Sequence, residues 1–219
     1  MFPELEQYSL LKHPFYQAWQ QGELTQETLQ CYARQYLHHV DAFPTYLSKI
    51  HSQSMDLNHR RVILGNLMDE EGVNATAHPI LWENFAMGLG VAQEDVRAMP
   101  FANTQKLLDT FSELSGKSYA AGLGALYAYE RQIPEIAKTK IKGLKECYGI
   151  TDAATLEFFE VHEKADEWHS AEVEALIQDL SPEDQAVAKA GAISAASALW
   201  DFLSGVEEVR TDKKACCVH

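Results

Sequence analysis

The segment His162-Glu-Lys-Ala-Asp166-Glu-Trp-His169 places two imidazoles and a carboxylate at positions i, i+4 and i+7. On a helix these three share one face. Phe158, Ala165, Val173 and Leu176 extend the same stripe, whereas Glu157, Glu160, Glu163, Glu167, Ser170 and Glu174 fall toward the other side. The two histidines and the aspartate therefore lie on the apolar stripe. A carboxylate buried between two imidazoles is costly unless it is paired or metal-bound. Neutral imidazole and carboxylate are good ligands for first-row divalent ions, and a metal would use all three. A His–Asp hydrogen bond inside an ordinary bundle is the plainer arrangement.

Two further places carry chemistry of the same kind. Glu130 follows the run AAGLGALYAY, which is apolar apart from its tyrosine hydroxyls and rich in small residues that permit close helix approach. A carboxylate there needs a partner, either a metal or a basic group such as Arg131. Asp69-Glu70-Glu71-Gly72 is followed by His78 just before Pro79. Glu70 and His78 can bracket a loop and point inward, or they can be an acidic helix end and a surface histidine. Taken together, Glu70, His78, Glu130, His162, Asp166 and His169 supply two sets of oxygen and nitrogen ligands. That is the stoichiometry of a carboxylate-rich dinuclear iron or manganese site in a helix bundle. The ferritin-type pair of Glu-x-x-His motifs is absent, and Asp166-x-x-His169 is the nearest pattern.

The elements that must position these residues are helical. Apolar residues recur at three- and four-residue spacing, and long β-branched runs with period two are missing. The pattern predicts helices over 14–21, 25–51 with a bend at Pro44, 56–71, 79–89, a short one near 93–99, 103–114, 118–147 interrupted at Pro134, 152–180 and 182–206. Gly22, Gly72 and Gly90 stop three of them, and Ser181-Pro182 is an N-cap followed by proline at the first helical position. The sum is one all-α bundle of roughly seven main helices over 1–206, with a polar, flexible tail over 207–219.

Composition narrows the function classes. The chain has 219 residues, 46% hydrophobic and 23% charged, as expected of a folded domain. Asp plus Glu number 32 against 18 Lys plus Arg, a formal net charge of -14. Such a surface repels phosphates and argues against nucleic acid or an anionic membrane as partner. The longest apolar-leaning run, 190–200, is about half the ~20 residues that a spanning helix needs. The N-terminus MFPELEQYSLL lacks the basic start and apolar core of a signal peptide, so a cytoplasmic location is expected. Cys31 and Cys147 are isolated and Cys216-Cys217 sit near the end, which is neither a disulfide framework nor a CxxC zinc site.

With those residues in view, the sequence resembles the heme-oxygenase-like dimetal oxidases, in particular their self-sacrificing para-aminobenzoate synthases of folate biosynthesis. The resembling stretches are HPFYQAWQQGELTQETLQCYARQYLHHVDAFPTYLS, LMDEEG, AAGLGALYAYERQIPEIAKTKIKGL and HEKADEWH, spread from about residue 8 to 203. The resemblance implies a seven-helix fold shared with pyrroloquinoline quinone synthase and TenA-type proteins, binding two metal ions (Fe/Fe or Mn/Fe) rather than heme. The ligands would fall on Glu70, His78, Glu130, His162, Asp166 and His169. The loop after LMDEEG is one residue longer than in the family's pattern, which brings Glu71 in as an alternative to Glu70. The reaction implied uses O2 and an external reductant and converts a protein tyrosine, matching Tyr16, into the aryl part of the product. Its nitrogen would come from a lysine matching Lys140. Tyr32 and Tyr129 match further tyrosines near the site, and Phe158 stands where the family has another. By local pattern alone Lys140, in a KTKIK run, reads as a solvated lysine.

Other readings keep parts of this set. A dimetal oxidase of an external small molecule would need the six ligands but would leave Tyr16 and Lys140 intact. A metal-free enzyme resembling pyrroloquinoline quinone synthase or thiaminase would need a polar pocket or an activated cysteine. An interaction module for death domains is admitted by the resemblance alone, and the acidic surface would suit a basic partner. Helix-bundle faces also make a homodimer a natural expectation.

Overall fold

The computed structural model describes residues 1–211, and the side chains of all of these except 164–168. Two 3-10 turns, Pro3–Tyr8 and Leu10–Lys12, lead into α1 (Pro14–Gln21). They are followed by α2 (Gln26–Gln53), α3 (Leu57–Glu70), α4 (His78–Gly88), α5 (Ala102–Lys117), α6 (Tyr119–Glu130), α7 (Ile133–Glu146), α8 (Ala153–Gln178) and α9 (Pro182–Thr211). The fold is all-α, as the spacing predicts. Local chemistry sets the starts. Thr25, Asp56, Ser118 and Asp152 each accept a backbone N–H in the first turn of the helix they open, satisfying donors that have no partner within the helix.

The differences from the sequence reading are local. The interrupted helix 118–147 is two helices, because Pro134 in the first turn of α7 has no N–H to continue the ladder of α6. Around 93–99 only a 3-10 turn forms, Gln93–Asp95. The last helix runs on to Thr211 rather than stopping near 206, with Arg210 paired to Glu207 one turn back. Among the described residues no helix is long and apolar enough to cross a membrane.

The inner helix α6 is apolar all round, and each of its residues from Ala120 to Glu130 is buried. It lies along α9 with almost no clearance. A Cβ built on Gly124 would fall 1.9 Å from the carbonyl oxygen of Ala188, and one on Gly191 would fall 2.6 Å from that of Ala121. Only glycine lets these backbones meet. Gly124→Ala is therefore expected to cost about 3 kcal/mol, at the upper end of overpacking penalties because the obstruction is backbone. A urea unfolding midpoint unchanged from native would refute this.

The core also hides imidazoles. His39 is fully buried among Tyr36, Phe43, Tyr46, Phe111 and Tyr129, with no hydrogen-bond partner on either ring nitrogen. Burial pushes its pKa down to about 3. His13, whose Nδ1 accepts from Phe15 N to cap α1, is lowered to about 4, again by burial, with Glu207 pulling weakly the other way. Unfolded histidine titrates near ~6.5. Between that value and the folded pKa the unfolded chain binds more protons, so stability must fall as pH drops from about 6.5 toward 4. Each such histidine contributes up to ~1.4 kcal/mol per pH unit. Urea titrations at pH 7 and pH 5 test this, and His39→Phe should remove one histidine's share of the slope.

Candidate metal centre

Glu70 closes α3 and His78 opens α4. The loop between them doubles back tightly at Gly72, whose φ is 69°; a Cβ there would meet Ala77 N at 2.3 Å. That turn sets His78 against Glu70, with Nδ1 2.8 Å from Oε2. Both are buried, at 5% and 7% exposure, whereas Glu71 is exposed.

His162 reaches the same place from α8. Its ring centroid is 4.4 Å from that of His78, and it stacks on Phe158 at 4.1 Å. Nδ1 of His162 donates to Phe158 O at 2.6 Å, which fixes the neutral tautomer and leaves Nε2 as the electron-pair donor. Burial, reinforced by His78, holds its pKa well below the usual histidine value. One donor atom from each of Glu70, His78 and His162 lies within 4.8 Å of the others. This spacing suits a shared cation, and the donors are the oxygen and nitrogen types that iron or manganese accepts.

The remaining predicted ligands are placed differently. Glu130, 2% exposed at the end of α6, accepts from Asn66 Nδ2 at 2.5 Å. His169 is one face-repeat along α8, its Nε2 3.2 Å from Asp69 Oδ2. The side chain of Asp166 lies outside the described residues.

A second cluster adjoins the first. Lys140, on α7, is 4% exposed and places Nζ 2.6 Å from the Tyr32 hydroxyl, to which it donates. Tyr32 and Tyr16 hydroxyls are 3.4 Å apart. Five rings surround the amine at 4.9 to 5.7 Å, those of Tyr16, Tyr32, Tyr36, Trp82 and Phe159. Ring faces favour an ammonium, but only by about 1–2 kcal/mol each, while full desolvation of a lysine shifts its pKa by several units. Desolvation prevails, and the amine is held well below its ordinary value. Burial likewise raises the pKa values of Tyr16 and Tyr32, so both stay phenols.

Tyr129 stands one step away, its hydroxyl accepting from Tyr36 at 3.1 Å. Tyr36 also stacks on Tyr32, 5.5 Å between centroids. One cavity is lined by Tyr36, Tyr129, Lys140, Phe158 and His162, among others, so the amine and the imidazole cluster face the same space. Sequence reasoning missed Tyr36, Trp82 and Asn66. Asn66 had a signal, since it is four residues before Glu70 and so on the same face of α3. Lys140 had one too: it continues the stripe Ile133, Ile136, Ala137, Leu144 that α7 buries.

A family model for iron-containing redox enzymes matches residues 30–201. The chain belongs to that family. It is an oxidoreductase, and the carboxylate–imidazole cluster lies within the matched span or on its packing partners. The chain is 42% identical over 210 residues to a 4-aminobenzoate synthase of Chlamydia muridarum, covering 95% of this chain and 87% of that one. It is 41% identical over 229 residues to a 4-aminobenzoate synthase of Nitrosomonas europaea, covering 96% and 93%. Among solved structures, a domain with a heme oxygenase-like fold from Shewanella denitrificans superposes with a TM-score of 0.81 at 18% identity, over 96% of this chain and 90% of that one. The fold is thus the heme-oxygenase-like bundle.

Proposed function

We propose that this protein is a 4-aminobenzoate synthase that builds its product from its own Tyr16 and Lys140 at an O2-activating centre of two metal ions, Fe/Fe or Mn/Fe. The observation that carries the reading is the shared cavity: Lys140, held beside Tyr32 and Tyr16, faces the same space as His162 of the imidazole–carboxylate cluster. The 4-aminobenzoate synthases at 41–42% identity support the product. Glu70, His78 and His162 would hold one ion, and Glu130, Asp166 and His169 complete the ligand set for the second. Iron in that set would supply one-electron redox chemistry driven by O2 and an external reductant.

The chain's own contribution is physical. Burial holds the Lys140 pKa well below its ordinary value, which favours the amine with its lone pair over the ammonium. It keeps Tyr16 a phenol, so removing an electron from its ring requires an acceptor for the proton, and the Tyr32 oxygen lies 3.4 Å away. The surrounding rings exclude water that would compete for reactive groups. The protein would work in the cytoplasm on O2 and small molecules, with no nucleic-acid or membrane partner.

Isotope labelling tests the reading. Protein carrying ring-labelled tyrosine and 15N-lysine, loaded with iron and exposed to O2 and reductant, should release doubly labelled 4-aminobenzoate. Mass changes should map to Tyr16 and Lys140. Unlabelled product formed from an added small molecule would instead identify an ordinary dimetal oxidase.

A further inference from the structure

Asn66 is a polar side chain at this site that no ligand set uses. It projects from α3 one turn before Glu70 and is 4% exposed. Its Nδ2 donates to Glu130 Oε1 at 2.5 Å, tying α3 to the end of α6. Its Oδ1 is buried with no hydrogen-bond partner. The amide orientation is fixed by chemistry, because turning it over would set its carbonyl oxygen against a carboxylate oxygen. A buried amide oxygen left unpaired is unfavourable.

We propose that Asn66 is a positioning residue of the metal centre, an inference that rests on the two-metal reading above. Its amide N–H fixes the rotation of the Glu130 carboxylate, so that Glu130 meets a metal in one orientation instead of swinging between several. Its free oxygen is an acceptor for a water carried in with the ion. Partners that orient a ligand in this way set metal affinity, and losing one typically costs 10–100-fold. Asn66 acts through Glu130 and, among the described residues, shares no hydrogen bond with the Tyr16–Lys140 cluster, so its effect belongs to metal binding.

Cobalt(II) is a suitable probe because its visible bands report coordination geometry without turnover. Affinity is measured by chelator competition on the full chain, and near-UV circular dichroism of the same protein before loading verifies folding. Asn66→Asp keeps the shape and replaces the donor by an acceptor; Asn66→Ala removes both. The expected result is a 10–100-fold loss of cobalt affinity and altered visible bands in both variants, in chains that fold as native. Should Asn66→Ala fail to fold, Asn66→Asp alone decides. Native affinity to within about twofold and native bands in Asn66→Asp overturn the proposal while leaving the metal site standing. Failure of the native chain itself to bind cobalt overturns the proposal together with the two-metal reading.

Discussion

Lys140→Met is expected to abolish 4-aminobenzoate formation while making the protein more stable. The two outcomes have one cause. Lys140 is buried among five aromatic rings, and its only hydrogen bond among the described residues is to Tyr32. No carboxylate there lies within salt-bridge distance to offset its desolvation. Methionine has nearly the same volume and makes favourable contacts with ring edges. Removing a poorly solvated amine should therefore gain about 1–3 kcal/mol in urea unfolding. The same change deletes the proposed nitrogen source, so product should drop below detection even with a full complement of iron. A methionine variant that still releases 4-aminobenzoate would refute the role of Lys140. A variant that loses stability would refute the account of its environment.

Iron(II) added without O2 is expected to raise the melting temperature of the native chain by about 5–15 °C. A ligand at 100 to 1,000 times its dissociation constant stabilises by roughly 2.7–4.1 kcal/mol. For a chain of this length each kcal/mol is worth about 2–4 °C. His162→Ala should abolish most of that shift, because it removes one of three donors that lie within 4.8 Å of one another. Its melting temperature without iron should fall only by the cost of the cavity. The comparison separates the two effects, since cavity loss lowers both melts and ligand loss closes the gap between them. An equal iron shift in native and His162→Ala protein would remove His162 from the ligand set.

Much of this molecule was readable before folding. Helix starts are written in single residues, such as Thr25, Asp56 and Ser181 before Pro182, whose side chains satisfy backbone donors locally. The stripe through Phe158, His162, Val173 and Leu176 is a property of one helix and follows from its period alone. The acidic surface is simple arithmetic on composition. Family resemblance added Tyr16, Tyr32 and Tyr129, which no local pattern distinguishes from core aromatics, and Lys140, whose one local signal is its place on the apolar stripe of α7.

What the tertiary structure alone decided is who meets whom. The loop turning at Gly72 put Glu70, not Glu71, against His78, because only one of two adjacent helical residues faces inward at the end of α3. The break at Pro134 set the rotation of α7, and that rotation buried Lys140 while leaving Lys138 and Lys142 exposed. Tyr36 and Asn66 gained meaning only when α2 and α3 were packed against α6 and α7, joining residues 64 to 93 positions apart by hydrogen bonds. Periodicity specifies a face of one helix; the partner across from that face is fixed by packing of the whole bundle, where burial lowers the pKa of a lysine and a carboxylate is set against two imidazoles.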